Sequence, residues 1–142
     1  MRRFLPVVVL LVTACATAAP RVEFLARPGS PGPFSEAVRV DNIVFLSGVL
    51  GTDSTGRLVP GGIGPETQQA LENVKSALAR NGLTMDRVVK CTAMLADIAE
   101  WPAMNTVYAT YFPGPKPARS AFATNGLVRG ARIELECMAA AR

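Results

Sequence analysis

The chain has 142 residues, 49% of them hydrophobic and 18% charged, with 15 basic and 11 acidic side chains and no histidine. That size and balance suit one compact domain with a real core and argue against a disordered chain. Without histidine there is no Ser-His-Asp or Cys-His catalysis and no imidazole base or histidine-rich zinc site, so any chemistry rests on carboxylates, arginine, hydroxyls and backbone groups.

Residues 1–14 read as an export signal. Met1-Arg2-Arg3 is a positive start, and the apolar run from Phe4 to Val12 is broken only by Pro6. The run is too short for a helix of about 20 residues that would cross a bilayer. Val12-Thr13-Ala14-Cys15 resembles a lipobox, which would lipidate Cys15 and attach the mature protein to a membrane; Ala16-Thr17-Ala18 equally fits ordinary cleavage and a free periplasmic product. Either route exports the chain, and a retained anchor is the third possibility. Removing the signal takes Arg2 and Arg3 with it, leaving 13 basic and 11 acidic residues, a net +2. No run of lysines or arginines and no basic stripe with interleaved aromatics remains, so nucleic acid is not an expected partner.

Residues 15–30 read as a tether, with a short strand candidate at Val22 to Leu25. The domain itself is expected over 31–142. Three prolines and two glycines between Arg27 and Pro33 exclude regular structure there. Phe34 to Val40 and Ile43 to Gly48 read as paired strands around a tight Asp41-Asn42 turn. Ser47-Gly48 then replaces bulk with a small hydroxyl and a flexible backbone.

Pro65 opens a helix whose stripe is Ala70, Leu71, Val74, Ala77 and Leu78, with Asn81-Gly82 closing it. A strand follows over Arg87 to Ala96. Glu100 to Phe112 is a second helix, with Pro102 in its first turn and Met104, Val107, Tyr108 and Tyr111 as its stripe. Cys91 and Cys137 lie in strand-like runs and read most simply as small buried hydrophobes, although an exported setting permits a disulfide between them.

The last two strands each carry charge within apolar or small residues. Arg119 lies in Pro117-Ala118-Arg119-Ser120-Ala121-Phe122, and Glu134 and Glu136 alternate with Ile133, Leu135 and Cys137. Alternation alone allows the glutamates to face solvent. An arginine and a glutamate on neighbouring strands could instead share a pocket, one holding a carboxylate and the other a water. The order strand-strand-strand-helix-strand-helix-strand-strand gives an α+β fold with a mixed sheet, the short-looped pairs at both ends suggesting antiparallel edges. Two helices cover only one face of it, and oligomerisation is the simplest cover for the other.

Taken together, these segments resemble the RidA/YjgF family, also called L-PSP endoribonuclease-like. The resemblance rests on the order and spacing of Gly32-Pro33-Phe34-Ser35-Glu36-Ala37, Phe45-Leu46-Ser47-Gly48, Ala70-Leu71-Glu72-Asn73-Val74, Val88-Val89-Lys90-Cys91-Thr92, Met104-Asn105-Thr106-Val107-Tyr108, Pro117-Ala118-Arg119-Ser120 and Ile133-Glu134-Leu135-Glu136. It implies a chorismate-mutase-like sheet of about six strands with two helices on one face, a homotrimer with pockets between subunits, and cofactor-free hydrolysis of enamine and imine intermediates to 2-keto acids and ammonia. Matched position by position, Arg119 binds the substrate carboxylate and Glu134 orients the attacking water, while Ser47, Gly48 and Asn105 line the pocket. No metal is implied.

Three positions depart from the family pattern. Phe34 replaces its usual tyrosine, Ala121 a common cysteine and Val49 a frequent glutamine, and each change makes the pocket around Phe34 and Ala121 more apolar. A shifted substrate preference is one consequence. A non-catalytic trimeric binder of small carboxylates in the periplasm is the alternative. Ribonuclease activity would need the basic stripe that is missing.

Overall fold

The alternation of small and branched apolar residues with polar ones settles which way each strand faces. In the computed structural model, which describes residues 19–27, 29 and 32–141, the elements are β1 (Val22–Leu25), β2 (Ala37–Val40), β3 (Ile43–Leu46), β4 (Val49–Leu50), α1 (Ile63–Arg80), β5 (Val88–Leu95), α2 (Trp101–Thr110), β6 (Ala118–Ala123) and β7 (Ile133–Ala140). The export signal at 1–14 and Cys15 lie outside the described residues. The sheet runs in the order β1-β2-β3-β7-β5-β6, with β4 pairing β7 beyond the end of β3. All pairs are antiparallel except β5 and β6, which the α2 crossover makes parallel. This is the expected mixed sheet with two helices on one face.

The strand candidate at Val22–Leu25 pairs along its whole length with β2 and is the sheet's edge strand. One expectation is corrected. The strands carrying Arg119 and Glu134 are not neighbours, because β5 lies between them. A short connection between β6 and β7 suggested an antiparallel pair, but the parallel crossover places β6 on the far side of β5.

Local signals set the turn after β2 and the end of α1 as expected, whereas α1 starts at Ile63, two residues before Pro65, and α2 is trimmed to Trp101–Thr110. Asp41 takes a left-handed backbone (φ 50°) in the two-residue turn between β2 and β3. Asn81 caps α1 and Gly82 follows at φ 72°, a conformation that costs glycine little. The stripe Ala70, Leu71, Val74, Ala77 and Leu78 is buried against Val44, Leu46, Cys91, Ala93, Leu95, Ile133, Leu135 and Cys137 from the sheet. Each large side chain there contributes about 1.5–3 kcal/mol by leaving water. Strand β7 alternates without a break, whereas β5 contains a register shift between Val88 and Lys90 that lets both Val88 and Cys91 point into the core.

Glu66 is a buried charge that the sequence did not flag. It lies in the first turn of α1, 3% exposed, and accepts hydrogen bonds from the backbone N–H groups of Arg132 (2.7 Å) and Ile133 (3.3 Å). It therefore fixes where β7 begins, one residue before Glu134. In the sequence it looks like any acidic residue at a helix start.

Cys91 and Cys137 are both fully buried, as expected of small hydrophobes, but they are also bonded to each other. They are directly opposed on β5 and β7, with Cα atoms 4.1 Å apart. The bond closes a sequence separation of 46 residues. Loop-closure entropy for such a span gives about 4 kcal/mol as an upper figure. Denaturant unfolding with and without reductant should show a loss of about 2–4 kcal/mol on reduction. Alkylation in denaturant without reductant should leave Cys91 and Cys137 unlabelled.

Candidate functional site

Strand parity divides the predicted residues into two groups. Arg119 is in register with Cys91, and Cys91 with Cys137, so Arg119 points to the helix-covered face. Glu134 is in register with Met94 and Glu136 with Thr92, which puts both glutamates on the open face. Within one subunit, Arg119 and Glu134 therefore lie on opposite sides of the sheet. Glu134 and Glu136 do share a face, as their two-residue spacing requires.

The open-face group is Glu134 with Gly48, with Ser47 beside them and the loop residue Phe34 nearby in sequence. A Cβ on Gly48 would lie 1.8 Å from Glu134 Oε1, so the carboxylate occupies the space that a side chain at 48 would fill. Leu50 and Met94 are its register partners on the two sides of β7. Ser47 holds the rim: its N–H donates to Glu36 O (3.0 Å) and its hydroxyl to Ser35 O (2.7 Å), fastening the segment that presents Phe34, which is 71% exposed. Phe34 was expected to open a strand, but the strand starts only at Ala37.

The helix-face group is Arg119, Asn105 and Ala121. Arg119 Nη2 donates to Asn105 Oδ1 at 2.7 Å. Its guanidinium carbon lies 4.5 Å from the Tyr108 ring centroid and 5.5 Å from that of Trp101. Ala121, two residues further along the same face, is half-buried against the core. Trp101 and Tyr108 were not among the predicted site residues. Tyr108 read as part of the core stripe, and Trp101 gave no signal, because their aim at Arg119 depends on where β6 lands.

The charges show which side chains remain uncommitted. Arg80 pairs with Glu36, Arg132 with Glu100, Arg21 and Arg39 with Glu23, and Lys75 with Glu72. Asp41, Asp53, Glu66, Asp86 and Asp97 accept hydrogen bonds. Glu134 and Glu136 are the two acidic residues with neither a hydrogen bond nor an ion pair among the described residues. Arg119 has no acidic partner there, which removes an ion pair within the chain as the reason for its position. No cluster of histidine, cysteine, aspartate or glutamate suited to a metal occurs among the described residues.

The match to known proteins covers nearly the whole described domain. The family model described as Endoribonuclease L-PSP matches residues 24–141. A mouse protein named 2-iminobutanoate/2-iminopropanoate deaminase is 44% identical over 113 residues, covering 79% of this chain and 84% of that protein. The Arabidopsis thaliana chloroplast protein named Reactive Intermediate Deaminase A is 41% identical over 135 residues, covering 94% of this chain and 72% of that protein. Among solved structures, that of YEO7_yeast superposes with a TM-score of 0.80 at 36% identity, covering 86% of this chain and all of that one.

Burial disfavours the charged form of a phenol. It pushes the Tyr108 hydroxyl up to about 12, while burial, helped by a hydrogen bond to Glu72, does the same for Tyr111. These are the only two tyrosines in the chain. Their folded values lie above the unfolded value of about 10, so the stability they contribute is complete below that pH and is lost as pH rises towards 12. Absorbance at 295 nm should show tyrosine ionisation displaced upward by about two pH units in the folded protein and restored to near 10 in denaturant.

Proposed function

Because the chain belongs to the endoribonuclease L-PSP family, also known as RidA/YjgF, we propose that it hydrolyses 2-imino acids and their enamine tautomers to 2-keto acids and ammonia. The observation that carries this reading is the pair of uncommitted charges. Arg119 is held by an amide and two rings with no carboxylate partner, and Glu134 is held against a glycine with no cation. The names of the mouse and Arabidopsis relatives supply the reaction class.

The chemistry asked of these groups is modest. Arg119 offers a planar, permanently charged fork to the substrate carboxylate, fixing the imine carbon in place. Glu134 holds a water on the other side and accepts its proton as the oxygen adds to that carbon. Glu134 returns that proton to the imine nitrogen, giving a carbinolamine; it then relays the hydroxyl proton to the amine, the C–N bond breaks as the carbonyl forms, and ammonia leaves a 2-keto acid. Imine hydrolysis is intrinsically easy, so positioning and one base suffice without a metal or cofactor.

Opposite faces require the two groups to come from different copies. Phe24, Phe45 and Phe122 are 75%, 39% and 46% exposed, and register places them on the open face with Met94 and Met138. A homotrimer would cover that surface and bring the edge carrying Arg119 of one copy to Glu134 and Gly48 of the next. Phe34 and Ala121 would make the wall of such a pocket apolar, favouring alkyl-bearing 2-imino acids. Export remains part of the proposal. The buried disulfide supports it, since such bonds persist in oxidising compartments. Lipidation at Cys15 would hold the trimer at a membrane surface.

Purified protein should accelerate 2-keto acid release from an enzymatically generated 2-imino acid, and Arg119→Ala and Glu134→Gln should each lower that rate at least about 100-fold. Mixed trimers of the two inactive variants should regain about a quarter of the wild-type sites if each site draws one residue from each neighbour. An unaccelerated reaction with wild-type protein that still binds carboxylates would favour the non-catalytic binder. No recovery in mixed trimers would refute the shared site.

A further inference from the structure

Arg119 receives little help from its own strand, where Ala118, Ser120 and Ala121 surround it with small side chains. A long, flexible side chain on an edge strand would sample many rotamers, and each lost rotamer weakens the grip on a ligand. The restraint comes from α2. Trp101, Asn105 and Tyr108 are four and three residues apart and so lie on one side of the helix. Asn105 Oδ1 accepts from Nη2, the Tyr108 ring lies 4.5 Å from the guanidinium carbon and Trp101 completes the arc at 5.5 Å.

All three groups are neutral. An aspartate at 105 would hold the guanidinium as firmly but would neutralise it, leaving the site little affinity for an anion. Tyr108 is 5% exposed and its hydroxyl, which has no hydrogen-bond partner, is buried. A phenol is protonated across the physiological range, so no phenolate competes for the arginine's charge. Nε and Nη1 of Arg119 have no protein acceptor among the described residues, which leaves an edge of the fork open for a ligand.

We propose that Trp101 and Tyr108 are positioning residues which, with Asn105, form a neutral cradle that aims Arg119 at a small monocarboxylate without consuming its charge. This inference rests on the deaminase reading for its substrate class, but it concerns the binding of the carboxylate alone. Its prediction can therefore fail separately from turnover.

The test is titration of the assembled full chain with 2-oxobutanoate, followed by ligand-observed NMR, together with the KM and kcat of imine hydrolysis. Trp101→Leu should weaken binding and raise KM about tenfold, with kcat changed less, and Trp101→Phe should recover most of the loss because it keeps an aromatic face. Asn105→Asp should weaken binding more than Asn105→Ala, although it retains the acceptor. Tyr108 is a core residue, so Trp101, which is 37% exposed, carries the decisive substitution. Wild-type affinity in both Trp101→Leu and Asn105→Asp would overturn the cradle and leave the deaminase reading intact. Binding with these sensitivities but no turnover would support the cradle and overturn the deaminase reading. No binding by the wild type would overturn both.

Discussion

Strand β5 is hydrogen-bonded to β6 on one side and to β7 on the other, and its pleat fixes the relation between the two charges that matter. Its Cys91 shares a register line with Arg119 and Cys137, and its Met94 shares one with Phe122 and Glu134. Because neighbouring side chains on a strand point to opposite faces, this interposition sends the arginine towards the helices and the glutamate to the open side. Under the proposed function, a single subunit then offers two half-sites and no complete one. The disulfide lies on the same line as Arg119, tying β5 to β7 at the level where the arginine leaves the sheet.

Each half-site is built by subtraction as much as by contact. Gly48 gives Glu134 the room a side chain would occupy, and small residues along β6 leave Arg119 to be placed by α2 alone. Much of the other charge is spent on structure: Arg80 on Glu36, Arg132 on Glu100, and Glu66 on the backbone that begins β7. Those commitments leave Arg119 and Glu134 with no charged partner inside the chain.

Much of this was legible in the residues, and the failures share one physical origin. The α1 stripe, the Asn81-Gly82 cap and the Asp41-Asn42 turn are local, so spacing and composition revealed them. The alternation in β7 correctly put Glu134 and Glu136 on one face. Strand order is non-local, however, and the short link after β6 pointed to a hairpin that the parallel crossover forbids. Everything that depends on that order was therefore hidden: the separation of Arg119 from Glu134 and the aim of Trp101 and Tyr108, while the meeting of Cys91 with Cys137 was only one permitted option. Glu66 was hidden for a different reason, since its partners are backbone groups that no side-chain pattern displays.

The central claim is that Arg119 and Glu134 meet only across a boundary between copies. The most direct measurement is a crystal structure of the assembled protein soaked with a small carboxylate such as pyruvate. The account predicts the carboxylate on the Arg119 guanidinium of one subunit, with a water between its 2-carbon and the Glu134 carboxylate of the next. An Arg119 closed in a salt bridge to a neighbouring subunit, with no carboxylate bound, would contradict it.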